Sequence, residues 1–358
     1  MNELNRMLQR FFFLISLMSS LGISFQQIEI DGFQQEMILI KASTKREAFL
    51  MQGLSNGQVF GYATLEEMLN DQKEIYGRTP ELSVNGVFYN PFGEPEGILI
   101  IDGELVRSQS KGSPLFILKK NGDASIEEVS LQSFIKHEGV EYPVYEVNEG
   151  LTDSLLAVFT PWYGKTDRIE RDHTTYVVRN HHIVEIRKQN TPEKIDFSEG
   201  NLHSGDFQAS FQTLRYEIPY EVGDELRFLV KSSFSLEETE QAFETGGWLV
   251  KNGENVARDF EPYVGYTTSL QPRTVIGIDQ EGKVVFLTVD GRREESAGLS
   301  GYQIAEELIK AGCISGAYLD GGSSTTVFQG EQLVNQPSMG EMKEISHGLF
   351  LYRKTEGQ

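Results

Sequence analysis

Two short apolar runs, residues 284–289 (VVFLTV) and 316–319 (GAYL), each end at an Asp-Gly pair, Asp290-Gly291 and Asp320-Gly321. Between them, residues 300–311 carry Ile304, Ala305, Leu308 and Ile309 at the spacing of one buried helical face. Glu306, Glu307 and Lys310 fall on the opposite side, Ser300 caps the predicted helix and Gly312 stops it. Strand, crossover helix and strand make a βαβ unit with parallel strands. Asp290 and Asp320 are then expected on one edge, at the carboxyl ends of those strands, where open α/β sheets bind ligands. The predicted class is α/β, of mixed α+β character, with mixed β-sheets and a C-terminal βαβ unit that carries the site.

An Asp-Gly pair after a strand is ordinarily a turn, because both residues accept positive φ. Residues 98–106 (ILIIDGELV), with Asp102-Gly103, read as such a hairpin. Three neighbours set the other two pairs apart. Arg292 follows the first, Pro272-Arg273-Thr274 precedes a third strand, and the second opens into Gly322-Ser323-Ser324-Thr325. Small residues after a buried strand let backbone N–H groups and hydroxyls converge on an anion, and let a substrate approach the backbone.

The blocks PRTVIGID, VVFLTVDGRR, SAGLSGYQIAEELIKAG, AYLDGGSSTTVF and NQPS resemble the signature of the phosphodiester glycosidase family. Residues 82–106 (LSVNGVFYNPFGEPEGILIIDGELV) resemble its Asn-Gly-Gly-Phe-Phe block, and residues 244–254 (ETGGWLVKNGE) its Gly-Gly-Pro block. In all, residues 79–353 follow the family's block order around a motif core at 271–328. Two positions depart: Val87 stands where the family usually has glycine, and Ser323 replaces a third glycine after Asp320, which together imply a narrowed pocket, an altered substrate choice or a lost activity.

The resemblance implies hydrolysis of a glycosyl-1-phosphodiester, releasing an N-acetylglucosamine-like sugar from a phosphate ester without cofactor or metal. A phosphate leaving group is a weak base that needs little general acid, but its charge must be held, which is work for arginines. Arg273 and Arg292 are the candidates. Asp290 and Asp320 take the catalytic positions with Arg292, one as base or nucleophile, their separation deciding inversion or retention. The implied substrate-binding residues are Asn85 and Gly86, Gly246 and Gly247, Arg273 and Thr274, and Gly321, Gly322, Ser323 and Ser324. The last loop would supply backbone N–H groups and a hydroxyl. Asn85 would bond a sugar hydroxyl, and Phe88 and Tyr89 would pack either a sugar face or the core.

Charge narrows the partners. The chain has 53 Asp and Glu against 32 Lys and Arg, a net charge of −21, which repels nucleic acid and anionic lipid. Arg6 and Arg10 precede the uncharged residues 11–25 (FFFLISLMSSLGISF), so residues 1–25 read as a signal peptide or uncleaved signal anchor. The protein is therefore expected to be secreted or held at a cell surface, touching membrane only through that segment, with residues 26–358 as one domain. Cys313 is the sole cysteine, so no intrachain disulfide forms; that suits a bacterial surface protein, and Cys313 itself reads as a small buried residue.

Elsewhere, residues 28–40 predict a strand pair turning at Asp31-Gly32, 64–73 a helix capped by Thr64 and Glu67, and 82–89 a strand. Residues 115–188 predict antiparallel strands, 191–200 a loop, 214–232 two strands around Gly223-Asp224, and 236–242 a short solvated helix. Trp162, Tyr163 and Arg168 form either a sugar platform or a structural corner. His181 and His182 point to opposite faces of a strand, and no zinc-binding spacing occurs. A serine hydrolase is disfavoured because no Gly-x-Ser-x-Gly elbow is present. The rival from another class is a non-catalytic protein that binds surface glycopolymer or assists exopolysaccharide assembly on the same fold.

Overall fold

The computed structural model describes residues 22–30, 32–149, 156–192, 194–195, 205–212 and 220–354. Two layered sheets build the site. The first contains β1 (Gly22–Ile30), β2 (Phe33–Ala42), β5 (Trp248–Lys251), β6 (Glu254–Asn255), β7 (Arg273–Asp279), β8 (Val284–Val289) and β9 (Cys313–Tyr318). Its strand order is β1-β2-β8-β7-β9-β5-β6. The second contains β3 (Ala48–Leu54), β4 (Leu82–Asn85), β10 (Val327–Gln329), β11 (Gln332–Leu333) and β12 (His347–Arg353), in the order β11-β10-β4-β12-β3. Their facing sides share one core, in which Ile40, Ile276 and Phe286 of the first sheet meet Leu50, Val84 and Leu349 of the second.

Each sheet has a helix on its outer face. α2 (Gly301–Lys310) buries Ile304, Ala305 and Leu308 against Val275, Leu287 and Leu249. Full burial of one such aliphatic side chain contributes about 1.5–3 kcal/mol. α1 (Leu65–Tyr76) buries Leu65, Met68 and Leu69 against Met51 and Phe350. Both helices begin with the reciprocal caps their sequences announce: Thr64 with Glu67, and Ser300 with Gln303.

The predicted βαβ unit takes a split form. β8 and β9 run in the same direction with α2 crossing between them, but β7 lies between the two and is antiparallel to both. The carboxyl ends of β8 and β9 therefore share an edge with the start of β7, where Arg273 pairs with Val289. The chain leaves β9 at this edge through residues 319–326 and enters β10 of the second sheet. Asp320 thus stands at the passage between sheets.

A five-stranded sheet of Leu99–Ile101, Glu104–Arg107, Leu115–Lys119, Ala124–Glu127 and Thr239–Glu244 adjoins this core. Another five-stranded sheet, which includes His173–Arg179 and His182–Gln189, and a three-stranded one extend the molecule. The solvated helix predicted at 236–242 is a correction: Thr239–Glu244 is a buried strand between Leu99–Ile101 and Leu115–Lys119. There the Gln241 carboxamide donates to Asp102, and sheet pairing overrides the local glutamate pattern. Asp31 of the first hairpin, most of the 191–200 loop and part of 214–232 lie outside the described residues.

Residues 1–21 of the predicted signal segment lie outside the described residues, but Gly22–Phe25 already belong to β1 and pair with β2. Ile23 and Phe25 pack against the main core. Among the described residues, no helix is long and apolar enough to cross a membrane.

Candidate functional site

A cavity of about 290 Å³ opens at the shared sheet edge, lined among others by Phe88, Tyr263, Arg273, Tyr318, Arg292 and Asp320. Asp320 is the one carboxylate among its lining residues. It is half-buried, with much of its environment supplied by protein. That burial pushes its pKa up to about 6, against the opposing pull of the Ser324 hydroxyl, the Lys343 charge and the Gly321 amide.

Arg273 is a buried cation in this wall. Its Nε donates to the carbonyl of Leu299 at 3.0 Å, and its Nη2 to the carbonyls of Thr267 and Ser269 at 3.3 and 3.1 Å. Burial lowers its pKa, and the nearby charge of Arg292 pushes the same way. Arg292 is exposed, held by one hydrogen bond from Nε to Gln271 Oε1 at 2.7 Å, with its guanidinium over Gly322. Among the described residues neither arginine has a carboxylate partner. Two guanidinium groups thus face one cavity and repel each other, an arrangement suited to an anion.

Asp290 reaches the same edge but faces elsewhere. Its Oδ1 accepts from Asn335 Nδ2 at 2.9 Å and its Oδ2 from the Gln336 amide at 2.7 Å, with Arg293 at 3.8 Å. It does not line the cavity. Asn335 in turn donates to the carbonyl of Thr325 and accepts from the amide of Val327. Asp290 therefore anchors the loop that follows Asp320 and is not among the residues that line the cavity with it.

Asn85 and Thr274 are likewise buried supports and not cavity walls. Asn85 Nδ2 donates to the Asp320 carbonyl at 2.5 Å, while its Oδ1 accepts from Thr274 Oγ1 and the Thr326 amide. Gly86 fits against His347, whose Nδ1 would lie 1.9 Å from a Cβ, and its carbonyl accepts from the Asp320 amide at 3.0 Å. Val87 does not narrow the pocket, because its side chain enters the main core. Gly246 and Gly247 stand one layer back. A Cβ on the first would strike the Phe88 ring, and one on the second the Glu261 carboxylate.

In the loop after Asp320, expected to offer its amides to an anion, three amides bond within the protein. The amide of Gly322 donates to Pro272, that of Ser324 to Gly321 and that of Thr325 to Gly322. Gly321 and Gly322 nevertheless line the cavity, the buried Ser324 turns toward Asp320, and Ser323 is half-buried outside the wall. Trp162 and Tyr163 form a corner: both pack on the main core, and Arg168 covers the Tyr163 ring at 4.4 Å. Lys343, the cation that acts on Asp320, escaped the sequence reading, since an isolated lysine in a polar loop carries no motif.

The model of the phosphodiester glycosidase family matches residues 163–352. Over 95 residues the chain is 34% identical to an uncharacterized SPbeta prophage-derived protein of Bacillus subtilis, covering 26% of this chain and 15% of that protein. Over 102 residues it is 31% identical to the N-acetylglucosamine-1-phosphodiester alpha-N-acetylglucosaminidase of Bos taurus, covering 25% and 19%. The match thus spans less than a fifth of either relative's length.

Among solved structures, a hypothetical protein from Synechocystis superposes with a TM-score of 0.77 at 18% identity, covering 94% of this chain and 62% of that one. A Burkholderia pseudomallei protein described as exported gives 0.69 at 18% identity, covering 89% and 74%. The zebrafish N-acetylglucosamine-1-phosphodiester alpha-N-acetylglucosaminidase catalytic domain, auto-inhibited by its pro-peptide, gives 0.51 at 14% identity, covering 94% and 83%. At these identities the likeness is one of fold.

Proposed function

Because the chain belongs to the phosphodiester glycosidase family, we propose that it hydrolyses a glycosyl-1-phosphodiester at Asp320, with Arg273 and Arg292 holding the phosphodiester charge. The observation that carries this reading is the pair of guanidinium groups that have no carboxylate partner among the described residues, set beside a single cavity-lining carboxylate in a chain of net charge −21. Most of this surface repels anions, so a local pair of exposed and buried cations is a selective place to bind one.

In the proposed reaction, Asp320 accepts a proton from water while the water oxygen bonds to the anomeric carbon. The anomeric C–O bond breaks, and its electron pair leaves with the phosphate as the monoester of the other alcohol. That leaving group is a weak base, so one carboxylate suffices without a partner acid. A pKa near 6 leaves Asp320 ionised at neutral pH yet basic enough to take the proton. A single displacement inverts the anomeric centre.

The sugar is proposed to be N-acetylglucosamine-like, by analogy with the bovine and zebrafish enzymes. The place is proposed to be extracytoplasmic, at a bacterial surface, from the basic-then-apolar residues 1–25 and the exported Burkholderia neighbour.

The test is incubation of the purified chain with N-acetylglucosamine 1-(methyl phosphate), following free sugar by NMR. Release with an inverted first-formed anomer, abolished by Asp320→Asn, is expected. Sugar binding without release, across several sugar 1-phosphodiesters, would instead favour the glycopolymer-binding role.

A further inference from the structure

A second cavity of about 460 Å³ lies beside the segment that carries Phe88 and Tyr89. It is lined by Tyr62, Tyr89, Asn90, Pro91, Lys343 and Glu344. Phe88 lines the arginine cavity and the adjacent Tyr89 lines this one, so the two spaces meet at one segment of the chain. That stretch also holds Asp320, through the hydrogen bond from the Asp320 amide to the Gly86 carbonyl.

The composition of the second cavity differs from that of the first. It has no arginine. Tyr62 and Tyr89 meet edge to face with ring centroids 5.7 Å apart, and their hydroxyls donate to the carbonyls of Asn90 and Glu344, both at 3.2 Å. Those bonds fix the rings in place, with Tyr62 open to solvent and the Lys343 ammonium standing over the Tyr89 ring. Lys343 lies 5.1 Å from the centre of the Tyr89 ring, is exposed, and among the described residues has no carboxylate within ion-pair distance. Its charge favours the ionised form of Asp320.

Fixed aromatic faces beside a few polar groups suit a sugar ring, whose C–H faces are apolar and whose edge carries hydroxyls. The arginine cavity suits the phosphate. We infer that the second cavity is the subsite for the glycosyl ring, which lies on Tyr62 and Tyr89 with Lys343 donating to its hydroxyls, so that the anomeric carbon comes over Asp320 and the phosphodiester reaches the two arginines. This deepens the proposed function and rests on it for the position of the reacting bond. The binding of the ring itself does not depend on turnover.

The experiment therefore measures binding to the full, unsubstituted chain, using methyl N-acetyl-α-glucosaminide and inorganic phosphate as separate probes in ligand-observed NMR titrations. Tyr62 is partly exposed and Lys343 exposed, so Tyr62→Ala and Lys343→Gln leave the core intact. Each is expected to weaken the glucosaminide by about tenfold while phosphate binding is kept. Arg292→Gln is expected to do the reverse. Absence of saturable glucosaminide binding overturns the inference, as does loss of that binding in Arg292→Gln with retention in Tyr62→Ala. Glucosaminide binding with the expected variant pattern but no hydrolysis of any phosphodiester would leave the subsite standing and remove the enzymatic reading.

Discussion

Asp320 meets two opposing demands, because burial raises its pKa to about 6 while the proposed reaction needs its ionised form. Turnover is therefore expected to rise with pH through about 6 and then level off, which a kcat/KM profile between pH 4.5 and 8 would check. The same shift acts on stability with the opposite sign. Between the ordinary aspartate value near 4 and the raised one, the native state binds more protons than the unfolded state, so stability falls as pH rises through that window. At neutral pH the deficit is at most about 3 kcal/mol, reduced by the solvent that reaches the cavity floor. Asp320→Asn should accordingly abolish turnover yet melt higher than the parent chain at pH 7.5, with the two melting together near pH 4. A variant that melts lower at pH 7.5 would show that the carboxylate is favourably paired. Arg292 tests the other half of the site. Its guanidinium is exposed and tied by one hydrogen bond, so Arg292→Ala should leave the melting temperature within a degree or two and cut kcat/KM by about tenfold to a hundredfold.

At the scale of elements, caps and close glycine contacts hold the site's supports in register. Ser300 accepts from the Gln303 amide and sets the start of α2, and Ser300→Ala is expected to cost about 1 kcal/mol in urea unfolding. Gly86→Ala should cost more, about 1–3 kcal/mol, because its Cβ would collide with a ring that is itself fixed. His347 Nδ1 accepts from the Val87 amide, and Nε2–H donates to Gln52 Oε1 at 3.1 Å. Burial pushes the His347 pKa down to about 3, so it remains neutral. These local features mark what was legible in the sequence. The periodicity of α2, the Thr64–Glu67 capping box, the Ser300 cap, the Asp102-Gly103 hairpin and the common edge of Asp290 and Asp320 all follow from short-range spacing. The insertion of β7 between β8 and β9 does not, because strand order is decided by long-range pairing. Nor could spacing tell the two Asp-Gly pairs apart. Asp290 is turned away by Asn335 and Gln336, which arrive about 45 residues later in the chain. Asn85 read as a sugar ligand for a similar reason: an amide able to bond a hydroxyl is equally able to bond the backbone of Asp320.

The whole molecule carries its net charge of −21 with a calculated isoelectric point of about 4.8, so self-repulsion is strong at neutral pH. Several carboxyl groups add to this from within. Burial raises the pKa of Asp102, Glu244, Glu261, Asp290 and Asp320 alike. By the sign argument made for Asp320, each contributes a loss of stability as pH rises above its ordinary carboxylate range. The exposed ion pairs, such as Lys119 with Glu238 and Lys251 with Glu128, act the other way, but pairs of this kind contribute little and are screened by salt. Repulsion and buried carboxyls should therefore dominate. The melting temperature is expected to rise as pH falls from about 7.5 to about 5.5, and at pH 7.5 it should rise again when salt is added to about 0.5 M. The salt effect should shrink at pH 5.5, where the net charge is smaller. A fall in melting temperature with added salt at pH 7.5 would mean that the surface ion pairs outweigh the long-range repulsion, and that the arginine cavity is one attractive charge cluster among many and not a local exception to a repulsive surface.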